Sequence, residues 1–198
     1  MSQRATKQHI LEATITAIEK YGVQNVPTRT IAQEAGVNNA ALHYYYGTKE
    51  RLVTEALALT LDHMMQDTDA ILSGAGDLRE RLRALFEYIV EGVIRFPNLI
   101  RAHLSGALME GDSNSPFLRL LDAWLERTSR ELESALATAP KQNIRFGVFA
   151  AFSAIVMAGL LPESAQATTA VNLRDETARS QAIEMILNNL LEQTGREK

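Results

Sequence analysis

The stretch Thr28-Arg29-Thr30-Ile31-Ala32-Gln33-Glu34-Ala35-Gly36-Val37-Asn38-Asn39-Ala40-Ala41-Leu42-His43-Tyr44-Tyr45-Tyr46-Gly47-Thr48-Lys49-Glu50-Arg51-Leu52 decides the fold. Pro27-Thr28 marks a helix start with Thr28 as N-cap, and Gly36 stops that helix. Asn38 or Asn39 then caps a second short helix that runs to Tyr46. Two short helices joined by Ala35-Gly36-Val37-Asn38 form a helix-turn-helix, whose second helix is suited to the DNA major groove. At about 100° per residue, Leu42 and Tyr46 share the face that packs on Ile31, Ala32 and Ala35, while Ala40 and Tyr44 point the opposite way. Small Ala40 and Ala41 let bases come close, and Asn39 and His43 flank them with hydrogen-bonding groups. The hydroxyls of Tyr44 and Tyr45 suit phosphate oxygens, and Lys49 stands at a helix N-terminus, itself an anion site. For Asn39 two readings stay open, a bidentate bond to adenine and a plain N-cap.

Working outward, helical periodicity dominates and no alternating strand pattern is found. A first helix opens at Thr6, carries Ile10, Leu11, Ile15, Ile18 and Tyr21, and stops at Gly22. Thr48 caps a long helix from Lys49 to about Leu72. Further helices are expected over Leu78 to Arg95, Pro97 to about Glu110, Phe117 to Leu136, Lys141 to Leu161 and Asp175 to Gln193. The stretch 111–116 reads as a loop, and Ser164 to Asn172 as a loose connection. The expected architecture is all-α: a three-helix head, residues 1–47, and a larger helical bundle, residues 48–198, with about nine helices in total.

Composition narrows the function. The chain has 198 residues and no cysteine, so a disulfide scaffold, a Cys-ligated metal and a thiol nucleophile are excluded. Twenty Lys and Arg against 24 Asp and Glu give a net charge of −4, which on its face opposes a nucleic-acid partner. The charge is unevenly placed, however. Residues 1–51 hold six cations and four acids, a net +2, leaving 14 cations and 20 acids, a net −6, for the remainder. No GxSxG, Walker loop, HExxH or GxGxxG occurs, so no enzyme activity is expected. His63 and Asp67, at i and i+4, read as a solvated face rather than a metal site, and no cofactor is expected.

Residues 1–20 lack the apolar stretch of a signal peptide. The most apolar run, Phe146 to Leu161, is 16 residues long and falls short of the ~20 that span a bilayer, so a buried core or interface helix in a cytoplasmic protein is expected. Small residues at nearly helical spacing, Gly147, Ala151, Ala154, Ala158 and Gly159, suit close helix approach across a two-fold axis, with the last helix as its companion. An apolar ligand pocket with a few polar groups is expected in the body. Its candidates are Tyr88, Arg101, His103, Phe117 and Trp124, with Phe96, Leu104, Met109 and Leu120 as apolar lining. An inward Arg101 would suit an anionic ligand, and Arg101 and His103, two apart, do not both face inward.

From Thr6 to Leu52 the chain resembles the DNA-binding signature of the TetR family of bacterial repressors, several motif elements agreeing in order. The resemblance implies a homodimer whose two heads bind a palindromic operator on double-stranded DNA and are released by a small-molecule effector. It implies phosphate contacts for Thr28, Arg29, Tyr44, Tyr45 and Lys49, and base proximity for Asn38, Asn39, Ala40, Ala41 and His43. The sequence departs from the family pattern at Asn39, often Lys or Arg, at Ala40, often Gly, at His43, often Tyr, and at Tyr45, often His. These departures bear on base preference and leave backbone anchoring untouched. The rival readings are a helical small-molecule-binding protein or enzyme with a structural head, and a helical adaptor. Salt-dependent duplex binding separates them from a repressor.

Overall fold

A computed structural model of the chain describes residues 3–109, 111–112, 114–136 and 139–195, the last three without their side chains. Among the described residues there are ten α-helices and no strand: α1 Gln3–Tyr21, α2 Thr28–Glu34, α3 Asn39–Tyr46, α4 Lys49–Leu72, α5 Leu78–Arg95, α6 Pro97–Met109, α7 Pro116–Ala135, α8 Lys141–Leu160, α9 Pro162–Thr169 and α10 Glu176–Gly195. The chain divides into two compact units, residues 1–64 with 96–118, and residues 65–95 with 119–198.

The first unit is built on α1. Ile10, Leu11, Ala13, Thr14, Ala17 and Ile18 repeat at three- and four-residue spacing and are all buried. The Thr14 hydroxyl donates to the Ile10 carbonyl at 2.7 Å, which removes the cost of burying it. Ile31 and Ala32 of α2, Leu42 and Tyr46 of α3, Leu52 and Ala56 of α4, and Leu99 and Ala102 of α6 complete this core. Between α2 and α3, Gly36 adopts φ +62 with no atom within 4 Å of a notional Cβ, so the backbone alone, not crowding, requires glycine in this turn. The start of α6 is tied to α1: Asn98 Nδ2 donates to the Glu19 carbonyl at 2.8 Å, and the Leu99 N–H donates to the Glu19 carboxylate at 3.0 Å.

The second unit packs α5, α7, α8 and α10 around Leu82, Leu85, Phe86, Val90, Trp124, Leu132, Ile144, Val148 and Leu187. Glu184 of α10 receives Arg79 at 2.7 Å and also Arg83, both from α5, and Arg79 reaches Asn188. Where α5 meets α8, a Cβ on Gly159 would lie 2.5 Å from Val93 Cγ1 and 3.0 Å from Val93 Cβ. In a helix interior Gly→Ala ordinarily gains about 1 kcal/mol. Here the rigid, buried valine reverses the sign: Gly159→Ala should cost about 1–3 kcal/mol in urea unfolding followed by Trp124 fluorescence. Adding Val93→Ala should recover most of that loss, and a stabilised Gly159→Ala would show that the clash relaxes.

Several sequence expectations are corrected. Helix α1 begins at Gln3, not Thr6, because nothing in residues 3–5 interrupts its register. Thr28 is the first residue of α2 rather than its cap; Pro27 holds the cap position at φ −77 and makes no side-chain capping bond. The stretch read as a loose connection, 164–172, holds most of α9, which Pro162 opens just before it with Glu163 in the first turn, and which ends at left-handed Ala170. The apolar run 146–161 lies within the helix expected from Lys141, and α8 ends at Leu160, one residue short of the expected Leu161. At 20 residues and a mean hydropathy of 1.6, with a third of that stretch buried, α8 is long and apolar enough to cross a membrane by length and composition. Phe146, Phe149 and Met157 on α8 and Met185 on α10 are exposed, so α8 is not covered on all sides. Glu110, the expected end of α6, and Ser113 of the expected loop lie outside the described residues.

Candidate nucleic-acid interface

Helix α3 is set by caps at both ends of its neighbourhood. Asn38, in extended conformation, accepts the Ala41 N–H on its side-chain oxygen at 2.9 Å, so Asn38 rather than Asn39 is the N-cap of α3. Thr48 caps α4 in the same way, its hydroxyl accepting the Arg51 N–H at 3.2 Å. The α3 ring of His43 turns back onto the Gly47 carbonyl through Nδ1.

Burial separates the two faces of α3. Leu42 and Tyr46 face the core at 5% and 1% exposure, and the Tyr46 hydroxyl donates to the Lys7 carbonyl at 2.7 Å. Asn39, Ala40, His43 and Tyr44 lie on the solvent side, Tyr44 with 74% of its surface free. Ala41 and Tyr45 are half-buried, the Tyr45 ring meeting Tyr44 edge-on at 5.1 Å. Thr28 and Lys49 are half-buried and Arg29 is exposed. One neighbour escaped the sequence reading: Gln3 Nε2 lies 3.5 Å from the Tyr44 hydroxyl, which brings the start of α1, and Arg4 with it, to α3. No local pattern announces a bond between residues 41 positions apart.

The head's cations divide into two groups. Lys7 and Arg51 pair with Glu55 at 3.0 Å each, and Lys20 with Glu34 at 3.5 Å. The Lys7 ammonium, with Arg51 beside it, holds the Glu55 carboxyl below its ordinary value. Arg4, Arg29 and Lys49 make no ion pair among the described residues. The modest +2 of the head is thus concentrated in side chains not engaged by carboxylates.

The five expected ligand contacts divide between the units. In the first, His103 is buried, with Nε2 2.8 Å from the Thr60 hydroxyl and its ring stacked on buried Phe117 at 5.5 Å. Arg101 is exposed and donates to Asn98 at 3.1 Å, so the inward side chain of the pair is His103; a buried guanidinium would have needed a carboxylate partner. Phe96 and Met109 are exposed too, at 46% and 83%, and line no interior. In the second unit, Tyr88 donates its hydroxyl to Asp67 at 2.9 Å, and burial together with that carboxylate pushes the phenol up from its ordinary value. Trp124 is buried against Phe152. Separately, α8 and α10 border a groove of about 680 Å³ whose lining includes Gln142, Phe146, Gly147, Ala151, Ala154, Asn189 and Leu190.

With that geometry in place, residues 10–56 match the family described as bacterial regulatory proteins, tetR family. The regulator BetI of Agrobacterium fabrum is 28% identical over 130 residues, 66% of this chain and 63% of the relative. The nicotine-responsive transcriptional repressor HdnoR of Paenarthrobacter nicotinovorans is 32% identical over 73 residues, 37% of this chain and 38% of its own. The chain thus spans less than two thirds of either relative in alignment. Among solved structures, a tetR-family transcriptional regulator from Streptomyces coelicolor superimposes with a TM-score of 0.68 at 18% identity, covering 98% of this chain and 82% of that one, a likeness of fold.

Proposed function

The chain belongs to the TetR family of bacterial regulatory proteins, and from that premise we propose that it is a transcriptional repressor that binds a palindromic operator as a homodimer and is released by a small-molecule effector. The observation that carries this reading is the solvent-facing side of α3, where Asn39, Ala40, His43 and Tyr44 stand clear of the core while Leu42 and Tyr46 seat the helix. With Asn38 occupied as the cap, Asn39 takes the base-reading role, Ala40 and Ala41 give bases room, and His43 flanks them. Thr28, Arg29, Tyr44, Tyr45 and Lys49 hold phosphates, with Arg4 added from α1. Residues 1–47 serve as the DNA-binding part, residues 48–198 as the ligand-binding and dimerisation part, and the protein works in the cytoplasm.

The homodimer is supported by α8 and α10, which leave Phe146, Phe149, Met157 and Met185 exposed and border a groove lined by Phe146 and the small residues Gly147, Ala150, Ala151 and Ala154. The effector response is supported by the nicotine-responsive relative. Effector binding turns α4 and moves the paired recognition helices away from the roughly 34 Å spacing of successive major grooves.

Selection from randomised duplexes at moderate salt tests the reading, and an enriched inverted repeat is the expected result; enrichment of nothing, or of single half-sites only, defeats it. On the selected site, Lys49→Ala and Tyr44→Phe should weaken operator and unrelated duplex alike. Lys49→Ala should also flatten the salt dependence, the log–log slope falling by about 0.9 for each phosphate that a head ceases to neutralise. Asn39→Ala should change base preference at one position, by about 1–3 kcal/mol of discrimination. Equal losses on all sequences for Asn39→Ala would remove it from base readout.

A further inference from the structure

Among the described residues, two hydrogen-bond donors inside the second unit have no acceptor. Trp124 Nε1 and Thr128 Oγ1 are sealed from solvent and make no hydrogen bond to any described residue, in residues that are 7% and 0% exposed. They stand one turn apart on the buried face of α7, so their side chains are neighbours. The indole N–H can only donate, and the threonine hydroxyl has its proton unspent. Native interiors rarely leave one such group unpaired, and here two adjoin. Arg81 Nε is a third buried donor without an acceptor among the described residues. Its guanidinium reaches Glu131 at 3.4 Å, a residue one turn beyond Thr128 on the same helix.

The charge of the surroundings narrows what fits. Among the described residues, the buried polar side chains of this unit are Thr68, Thr128 and Ser129, none of them ionisable. The charge on Arg81 is already met by Glu131. A charged ligand would lose its hydration with no counter-charge to replace it, whereas a neutral acceptor would satisfy both orphan donors at once. Phe152, packed on the Trp124 ring at 5.3 Å, and the partly buried Leu121 and Leu125 supply apolar surface beside them.

We infer that Trp124 and Thr128 form the acceptor-binding end of the effector site, and that the effector is an uncharged, largely apolar molecule bearing a carbonyl-type acceptor. This rests on reading the chain as an effector-responsive regulator. It replaces the anionic ligand expected from an inward Arg101.

The single tryptophan makes the test direct, because isotope-labelled full-length protein gives one indole N–H resonance. Hexyl methyl ketone and acetophenone, as carbonyl probes of two shapes, are titrated beside octane, octanoate and octylammonium. A ketone should move the indole proton downfield and octane should not. Thr128→Val should weaken ketone binding about five- to tenfold, and Thr128→Ser should retain it. The inference is overturned if neither ketone moves the indole signal, if octanoate or octylammonium binds more tightly than both ketones, or if Thr128→Val raises Tm and leaves ketone affinity unchanged. Operator binding by the same protein is scored separately. Operator binding with silent ketones defeats this inference alone, and ketone binding without operator binding defeats the repressor reading alone.

Discussion

Tyr46→Ala should abolish operator binding without touching a single DNA contact. The ring is 1% exposed, closes the core between α1 and α3, lies under the Lys7 ammonium at 5.2 Å, and donates its hydroxyl to the Lys7 carbonyl. Burial, with Glu55 nearby, pushes that hydroxyl up to about 12, so it remains a neutral donor throughout the working range. Removing a buried aromatic side chain of this size costs about 3–5 kcal/mol, a large share of what a small helical head possesses. Tyr46→Phe deletes only the hydrogen bond and should cost about 1 kcal/mol. Hydrogen exchange of α1–α3 amides reads the loss directly: Tyr46→Ala should collapse protection there, and Tyr44→Phe should leave it intact. Full protection in Tyr46→Ala would mean that the recognition helix is seated by something other than this side chain.

Acid should loosen the first unit through His103. The Thr60 hydroxyl spends its proton on the Leu57 carbonyl at 2.7 Å, so it accepts from His103 Nε2–H and selects that tautomer. Burial pushes the imidazole down to about 4, from an ordinary value of 6.5. The unfolded chain therefore binds a proton below about 6.5 that the folded chain refuses until about 4. The stability held by neutral His103 is complete above that window and drains as pH falls through it, by about 3 kcal/mol in all. His103→Gln removes the titration. Thermal unfolding followed by circular dichroism from pH 7 to pH 4 should therefore show a shallower loss in the variant than in the parent chain, and parallel curves would locate the acid sensitivity elsewhere.

The head was largely legible because its signals are local. Gly36, Asn38 and the Leu42/Tyr46 spacing fall within a dozen residues, and each acts on its own neighbours: a left-handed turn, a cap 2.9 Å from Ala41, a buried stripe. Even there Thr28 was misplaced by one position, since a proline before a helix can occupy the cap without a capping side chain. What stayed hidden depends on partners far along the chain. Whether Arg101 or His103 turns inward is settled by Thr60, 43 residues from the histidine, and by the cost of burying an unpaired guanidinium. Helix α9 buries no residue, so it leaves no apolar period to read; only Pro162 and the alanines hint at it. Thr128 carried no signal at all, because an orphaned hydroxyl becomes visible only when its surroundings are known.

The bond between Glu19 and the start of α6 bears on protein engineering. Regulators of this kind invite chimeras in which one head is spliced to another sensor. A splice at Gly47 would part α1 from Asn98 and Leu99, strip Glu19 of the two donors that hold it, and uncover Ala17 and Ile18 where Leu99 and Ala102 complete the core. A transplantable head from this chain is therefore discontinuous: it needs residues 97–102 carried across with residues 3–64, or a recipient whose own sixth helix offers an amide and an N–H at the same two places.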